Sequence, residues 1–196
     1  MRARNAAVIL AALTIAACTD VPSPMADATR PLAQISDGAH SGGNPFFFFL
    51  PPMVSNPGSG VNVTGLEPVV DICAWNGGSC TAQLAHFTTD LATTTTTQPG
   101  NSETVRESDA GYIVNWHTNG FDLAVGGTYR VCVRVGGQAL GYADVSVVGS
   151  GKDLKNVNTG EYVGLLDDRT LPVKFRIQDG ALGQTGDLPC SGSQPE

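Results

Sequence analysis

Cys73, Cys80, Cys132 and Cys190 are the side chains best placed to do covalent chemistry in this chain. In an oxidising compartment four cysteines pair as disulfides, with three possible connectivities. The run Cys73-Ala-Trp-Asn-Gly-Gly-Ser-Cys80 carries Asn76-Gly77, a hairpin turn signal that brings Cys73 and Cys80 across from one another. Closing so short a loop contributes about 2.5 kcal/mol on a chain-entropy account. The remaining pair is Cys132–Cys190, which would staple a C-terminal tail onto a strand. A Cys73–Cys132 bridge between sheets would need both side chains to face inward, and the alternation around Cys132 argues against that. Zinc is disfavoured: Cys-x6-Cys is poor ligand spacing and no histidine completes a set.

Acid–base candidates are sparse. His117 is followed by Thr118-Asn-Gly120 and Asp122, so one expectation is a His/Asp pair of hydrolytic type, joined by Asp167 or Glu161. No serine occupies a Gly-x-Ser-x-Gly elbow, and Ser150 in Gly149-Ser-Gly151 reads as a turn. Asp167 and Asp168 could offer oxygens to calcium, but one doublet beside Arg169 is not a site. Trp75, Trp116 and Tyr142 would serve a carbohydrate-binding module if they lined one exposed face. Asn62-Val-Thr64 fits the N-glycosylation pattern, a short motif that carries little weight by itself. The reading that results has no catalytic residue, no cofactor and no metal, with Trp75, Trp116, His117, Asp122, Asp167 and Asp168 as weak binding candidates.

Those side chains need a scaffold, and the pattern is that of strands. Tyr129-Arg-Val131-Cys-Val133-Arg-Val135 alternates strictly, with Arg130, Cys132 and Arg134 opposite the apolar set. Leu171-Pro-Val173-Lys-Phe175-Arg-Ile177 and Tyr112-Ile-Val114-Asn-Trp116-His repeat the alternation. Further strands are expected at 67–75, 80–88, 139–148 and 161–166, separated by Gly, Asn and Asp clusters. Phe46-Phe-Phe-Phe49 before Pro51-Pro52 reads as an edge strand that buries Phe46 and Phe48, or Phe47 and Phe49. Thr93–Thr97 followed by a Pro-Gly pair reads as an exposed connector, and no segment has a helical period. About seven or eight strands with one apolar face each predict an all-β, antiparallel sandwich. The pattern resembles the immunoglobulin and fibronectin type III architecture, with no family-defining motif.

The N-terminus adds a destination. Arg2 and Arg4 precede an uncharged, largely apolar stretch from Ala6 to Ala17, too short to span a bilayer and typical of a secretory leader. Its end, Leu13-Thr-Ile15-Ala16-Ala17-Cys18, resembles the lipobox of bacterial lipoproteins. The resemblance covers residues 1–18. It implies cleavage after Ala17, a diacylglyceryl thioether on Cys18 and N-acylation, palmitate-type chains that hold the protein on a membrane. Several chains on one residue make attachment long-lived, since each buried methylene contributes about 0.8 kcal/mol. Thr19 stands where an aspartate would retain a lipoprotein in the inner membrane, which favours the outer membrane.

The expected organisation is a signal peptide at 1–17, a lipidated cysteine and flexible tether at 18–44, a sandwich at 45–178 and a loose tail at 179–196. A flexible tether of that length reaches roughly 25–30 Å. The formal charge of −7, without a Lys/Arg cluster, makes the chain a poor partner for nucleic acid or for anionic lipid surfaces. The function expected is a lipid-anchored cell-envelope protein whose sandwich binds or supports rather than catalyses. A carbohydrate-binding module is the alternative and an envelope hydrolase the less favoured one.

Overall fold

The structure is a computed structural model that describes residues 34–98, 103–157, 163–184 and 188–190. The expected leader and Cys18 lie outside the described residues, as does Glu161. The strands are β1 (Ile35–Ser36), β2 (Phe47–Phe49), β3 (Pro68–Trp75), β4 (Cys80–Phe87), β5 (Thr95–Thr96), β6 (Arg106–Ser108), β7 (Gly111–His117), β8 (Thr128–Val135), β9 (Gln138–Val148), β10 (Val163–Leu166) and β11 (Thr170–Ile177). A short helix α1 spans Gly151–Val157. The large sheet runs β1-β9-β8-β3-β4-β5, with β10 also on β9, and the small sheet runs β2-β11-β7-β6. The all-β sandwich is therefore what forms, and the eight expected strands are all present. β1, β5 and β6 are additional pieces of two or three residues at sheet edges.

Alternation decides which side chains meet between the sheets. From the large sheet Val70, Ile72, Phe87, Val131, Val133, Val145 and Val147 are buried, and from the small sheet Tyr112, Val114, Trp116, Val173 and Phe175. Trp116 is fully covered and meets Phe121 and Tyr129 edge-on, both at 6.1 Å between ring centroids. Of the phenylalanine run, Phe47 and Phe49 are the inward pair, 5.0 Å apart and T-shaped. Phe48, within edge strand β2, and Phe46, just before it, are less buried, and Phe46 still packs against the core. Two glycines allow close approach. A Cβ at Gly141 would strike the Phe47 ring, and one at Gly111 would strike the Phe175 carbonyl.

Four expectations change. Residues 34–44 belong to the domain rather than to the tether: β1 pairs with β9, and Ile35 is buried. Asp37, also buried, accepts N–H groups from Ala39, His40 and Phe49, and so folds the chain back onto β2. A two-residue strand held by an aspartate turn has no period to read. Second, the tail is partly fixed. Ala181–Gly183 forms a 3-10 turn with Ala181 buried, and Cys190 is buried in a disulfide. Third, 151–157 is helical where turns were expected. Seven residues are too few to display a helical stripe. Fourth, β10 lies parallel to β9, and α1 sits in the crossover that a parallel pair requires.

The threonine run is partly structural. Thr95 and Thr96 pair with β4, and Thr88, Thr93 and Thr94 share hydroxyl bonds around Asp90. Residues 99–102 of that connector lie outside the described residues.

Phe47→Ala should cost about 3–5 kcal/mol, because it empties the contact with Phe49, Phe175 and β9 at once. Urea unfolding monitored by tryptophan fluorescence measures it. Phe46→Ala, at a less buried ring, should cost clearly less.

Candidate functional site: a polar cleft on the outer face of the large sheet

The outward residues of three adjacent strands converge. β3 presents Asp71, Cys73 and Trp75, β4 presents Gln83 and His86, and β8 presents Arg130, Cys132 and Arg134. Register sets the neighbours: Asp71 stands opposite His86 on one side and Cys132 on the other, and Cys73 stands opposite Arg130. Bulges in β3–β4 shift Cys80 opposite Trp75 rather than Cys73. The Cys73–Cys80 disulfide forms nonetheless, with 5.6 Å between Cα atoms. Asn76 orders the intervening turn by accepting the N–H groups of Gly78 and Ser79. The second disulfide, Cys132–Cys190, brings the tail onto the sheet across 58 residues of sequence. Cys132, Cys190 and Tyr142 form a small apolar cluster with Leu188 and Ala139 against it.

Arg130 lies beneath that tail and is 2% exposed. Its guanidinium sits 3.5 Å from the ring centroid of Trp75 and 3.8 Å from that of Tyr142. Nε and Nη2 donate to the two oxygens of Asp144 at 2.7 and 2.9 Å, and Nη1 donates to the Pro189 carbonyl at 3.0 Å. Asp144 is fully buried and also accepts the Gln34 N–H. Burial raises the Tyr142 phenol above its usual pKa, against the pull of Arg130 and with a push from Asp144. The phenol therefore stays a neutral donor, and it bonds Gln34 Oε1 at 3.1 Å.

Beside this pair, Asp71 collects three donors. Gln83 Nε2 and His86 Nδ1 reach one oxygen at 3.1 and 2.7 Å, and Arg134 Nη2 reaches the other. Asp71, Arg130 and Arg134 floor a cleft of about 220 Å³, with Gln83 and the two disulfides on its walls. The cleft can hold a polar ligand in fixed orientation. The acid among its lining residues, Asp71, is already bonded to a cation and an amide.

The weak candidates fare differently. Trp75, Trp116 and Tyr142 are all buried, so they form no exposed aromatic platform. The indole nitrogens of Trp75 and Trp116 are buried without a hydrogen-bond partner among the described residues. Asp122 is exposed in the turn after Thr118, and Asp168 lies in the turn before β11, both in the left-handed region at φ 46° and 62°. Asp167 is half-buried. Among the described residues, no three His, Cys, Asp or Glu side chains group as metal ligands.

His117 stands on the outer face of the small sheet. Its Nδ1 bonds Thr170 Oγ1 at 2.8 Å and its Nε2 bonds Glu103 Oε1 at 3.1 Å. Hydroxyl, imidazole and carboxylate in that order are the generic parts of a nucleophile with its base and orienting acid. Thr170 is exposed at the start of β11. Burial pushes the Glu103 carboxyl up, but hydrogen bonds from His117, Arg106 and Asn115 outweigh it and hold the group below its ordinary value of 4.5.

Sequence reading missed Asp71, Asp144 and Glu103. Arg130 and Asp144 are opposite one another on β8 and β9. Regular pairing around the Gly136-Gly137 turn would have set Arg130 opposite Ala143, and the register shift between Val133 and Arg134 moves it opposite Asp144.

Arg130→Met alone should destabilise by about 3–5 kcal/mol, because it strands Asp144 in the interior. The double variant Arg130→Met/Asp144→Leu should recover most of that loss, as read from a denaturant double-mutant cycle. Separately, a depressed carboxylate pKa stabilises the fold above the unfolded value and loses that contribution as pH falls through the folded one. Wild type should therefore lose stability below about pH 4.5 more steeply than Glu103→Gln in matched urea titrations. Compared with protein-family models, with curated proteins and with solved structures, the chain matches none.

Proposed function

We propose that this chain is an exported lipoprotein, anchored through acylated Cys18, whose sandwich serves as a non-catalytic binding or structural module of the cell envelope, on the outer membrane. The observation that carries the reading is the pairing of all four body cysteines, Cys73 with Cys80 and Cys132 with Cys190. Such bonds persist in oxidising compartments and are rare in the cytosol. The leader and the Leu13–Cys18 lipobox resemblance supply the route and the anchor. No helix among the described residues is long and apolar enough to cross a membrane. The non-catalytic part of the reading rests on a cleft whose acid already takes three donors.

Intact-mass analysis of the protein made in a bacterium tests the anchor. The expected product begins at Cys18 and carries a diacylglyceryl group plus an N-acyl chain. Cys18→Ser should keep its leader and take up no labelled fatty acid. Unchanged labelling of that variant would refute the reading.

A further inference from the structure

The cleft beside Arg134 is short of acceptors. Arg130 gives the protein one N–H from each nitrogen, two to Asp144 and one to Pro189. Among the described residues, Arg134 gives one bond from its whole guanidinium fork, from Nη2 to Asp71, and its side chain keeps 24% of its surface exposed. On the acceptor side, Asp71 already takes three donors. What faces the opening is a surplus of guanidinium N–H over oxygen. The surplus is also held still. Asp71 fixes Arg134, His86 and Gln83 fix Asp71, and two disulfides brace the strands on either side.

We propose that this cleft is a binding site for the carboxylate of a small, hydroxylated organic acid, with Arg134 as the anion-holding residue and Gln83 as a hydroxyl partner. The proposal deepens the binding-module reading of the domain and rests on it. A planar carboxylate matches the free edge of a guanidinium fork with two parallel bonds. The cleft, at about 220 Å³, falls below the ~300–1,000 Å³ of drug-sized pockets, which restricts the ligand to a single ring or a comparably short body. The net charge of −7 penalises a dianion more than a monoanion, which favours carboxylate over phosphate. Gln83 lines the cleft and offers an amide oxygen to ligand hydroxyls while its nitrogen is bonded to Asp71.

Nitrogen-15 NMR of the full chain in a neutral detergent tests this. D-glucuronate, D-glucose and inorganic phosphate are titrated in parallel, since the first two share a ring and differ at the carboxylate. Glucuronate should give saturable shifts at the Arg134 Nε–H and the Gln83 amide, and glucose and phosphate should not. Arg134→Gln should weaken glucuronate about tenfold or more. Should that variant misfold, Arg134→Lys keeps the charge beside Asp71, loses the fork, and should weaken binding likewise. Glucose binding as well as glucuronate, phosphate binding in its place, shifts that map elsewhere, or no shift with any probe would each overturn the proposal. The titration reads the folded domain and is indifferent to the lipid on Cys18. Failure here and failure of the anchor reading are therefore separate results.

Discussion

The Arg130–Asp144 pair, closed between the rings of Trp75 and Tyr142, is the constraint around which the large sheet is arranged. Two charges at 2% and 0% exposure must be paired, hydrogen-bonded and covered, because an uncompensated buried ion costs several kcal/mol. Each requirement recruits a different part of the chain. Trp75 comes from β3 and Tyr142 from β9, and both rings pack against the guanidinium. The Pro189 carbonyl comes from the tail, and the Gln34 N–H from the chain just before β1. One ion pair thus draws both ends of the domain onto the same sheet face. The Cys132–Cys190 bond holds the tail in the position this needs.

The two faces of that sheet consequently work by different physics. The inner face is apolar and interdigitates with the small sheet, so its contribution scales with the area removed from water. The outer face would ordinarily be solvated. Here its central part is a charged layer under aromatic rings and disulfides, and its neighbouring part, around Asp71 and Arg134, stays open as a cleft. Charges buried in this way add little net stability over a well-packed apolar layer. What they supply is a fixed arrangement of Trp75, Tyr142 and the tail beside the opening.

The inner face is legible in the sequence and the outer face is not. Strict alternation at Tyr129–Val135 and Leu171–Ile177 places the strands and their buried sides, because a period of two survives in any sheet. The Asn76-Gly77 turn and the odd place of Cys190 are enough to expect both disulfides. The same alternation puts Arg130 and Arg134 on the side away from the core, and they are there. That one of them is nevertheless buried depends on contacts 59 and 110 positions apart in sequence, from Pro189 to Arg130 and from Gln34 to Asp144. No local pattern records such contacts. Residues 34–44 read as tether for a similar reason: an aspartate turn and a two-residue strand carry no period. Sequence proximity pairs His117 with Asp122, yet its carboxylate is Glu103, which β7 and the chain before β6 bring to it.

If the outer face is organised in this way, Arg130 has a spectroscopic signature. Its guanidinium packs on two rings and its Nε–H donates to a buried carboxylate, so that proton should exchange slowly with water and resonate apart from ordinary arginine positions. Replacing Cys190 with serine should release the tail and return that signal toward the ordinary position with faster exchange. A wild-type Arg130 Nε–H that already resonates and exchanges like a solvated arginine would contradict the account at its root.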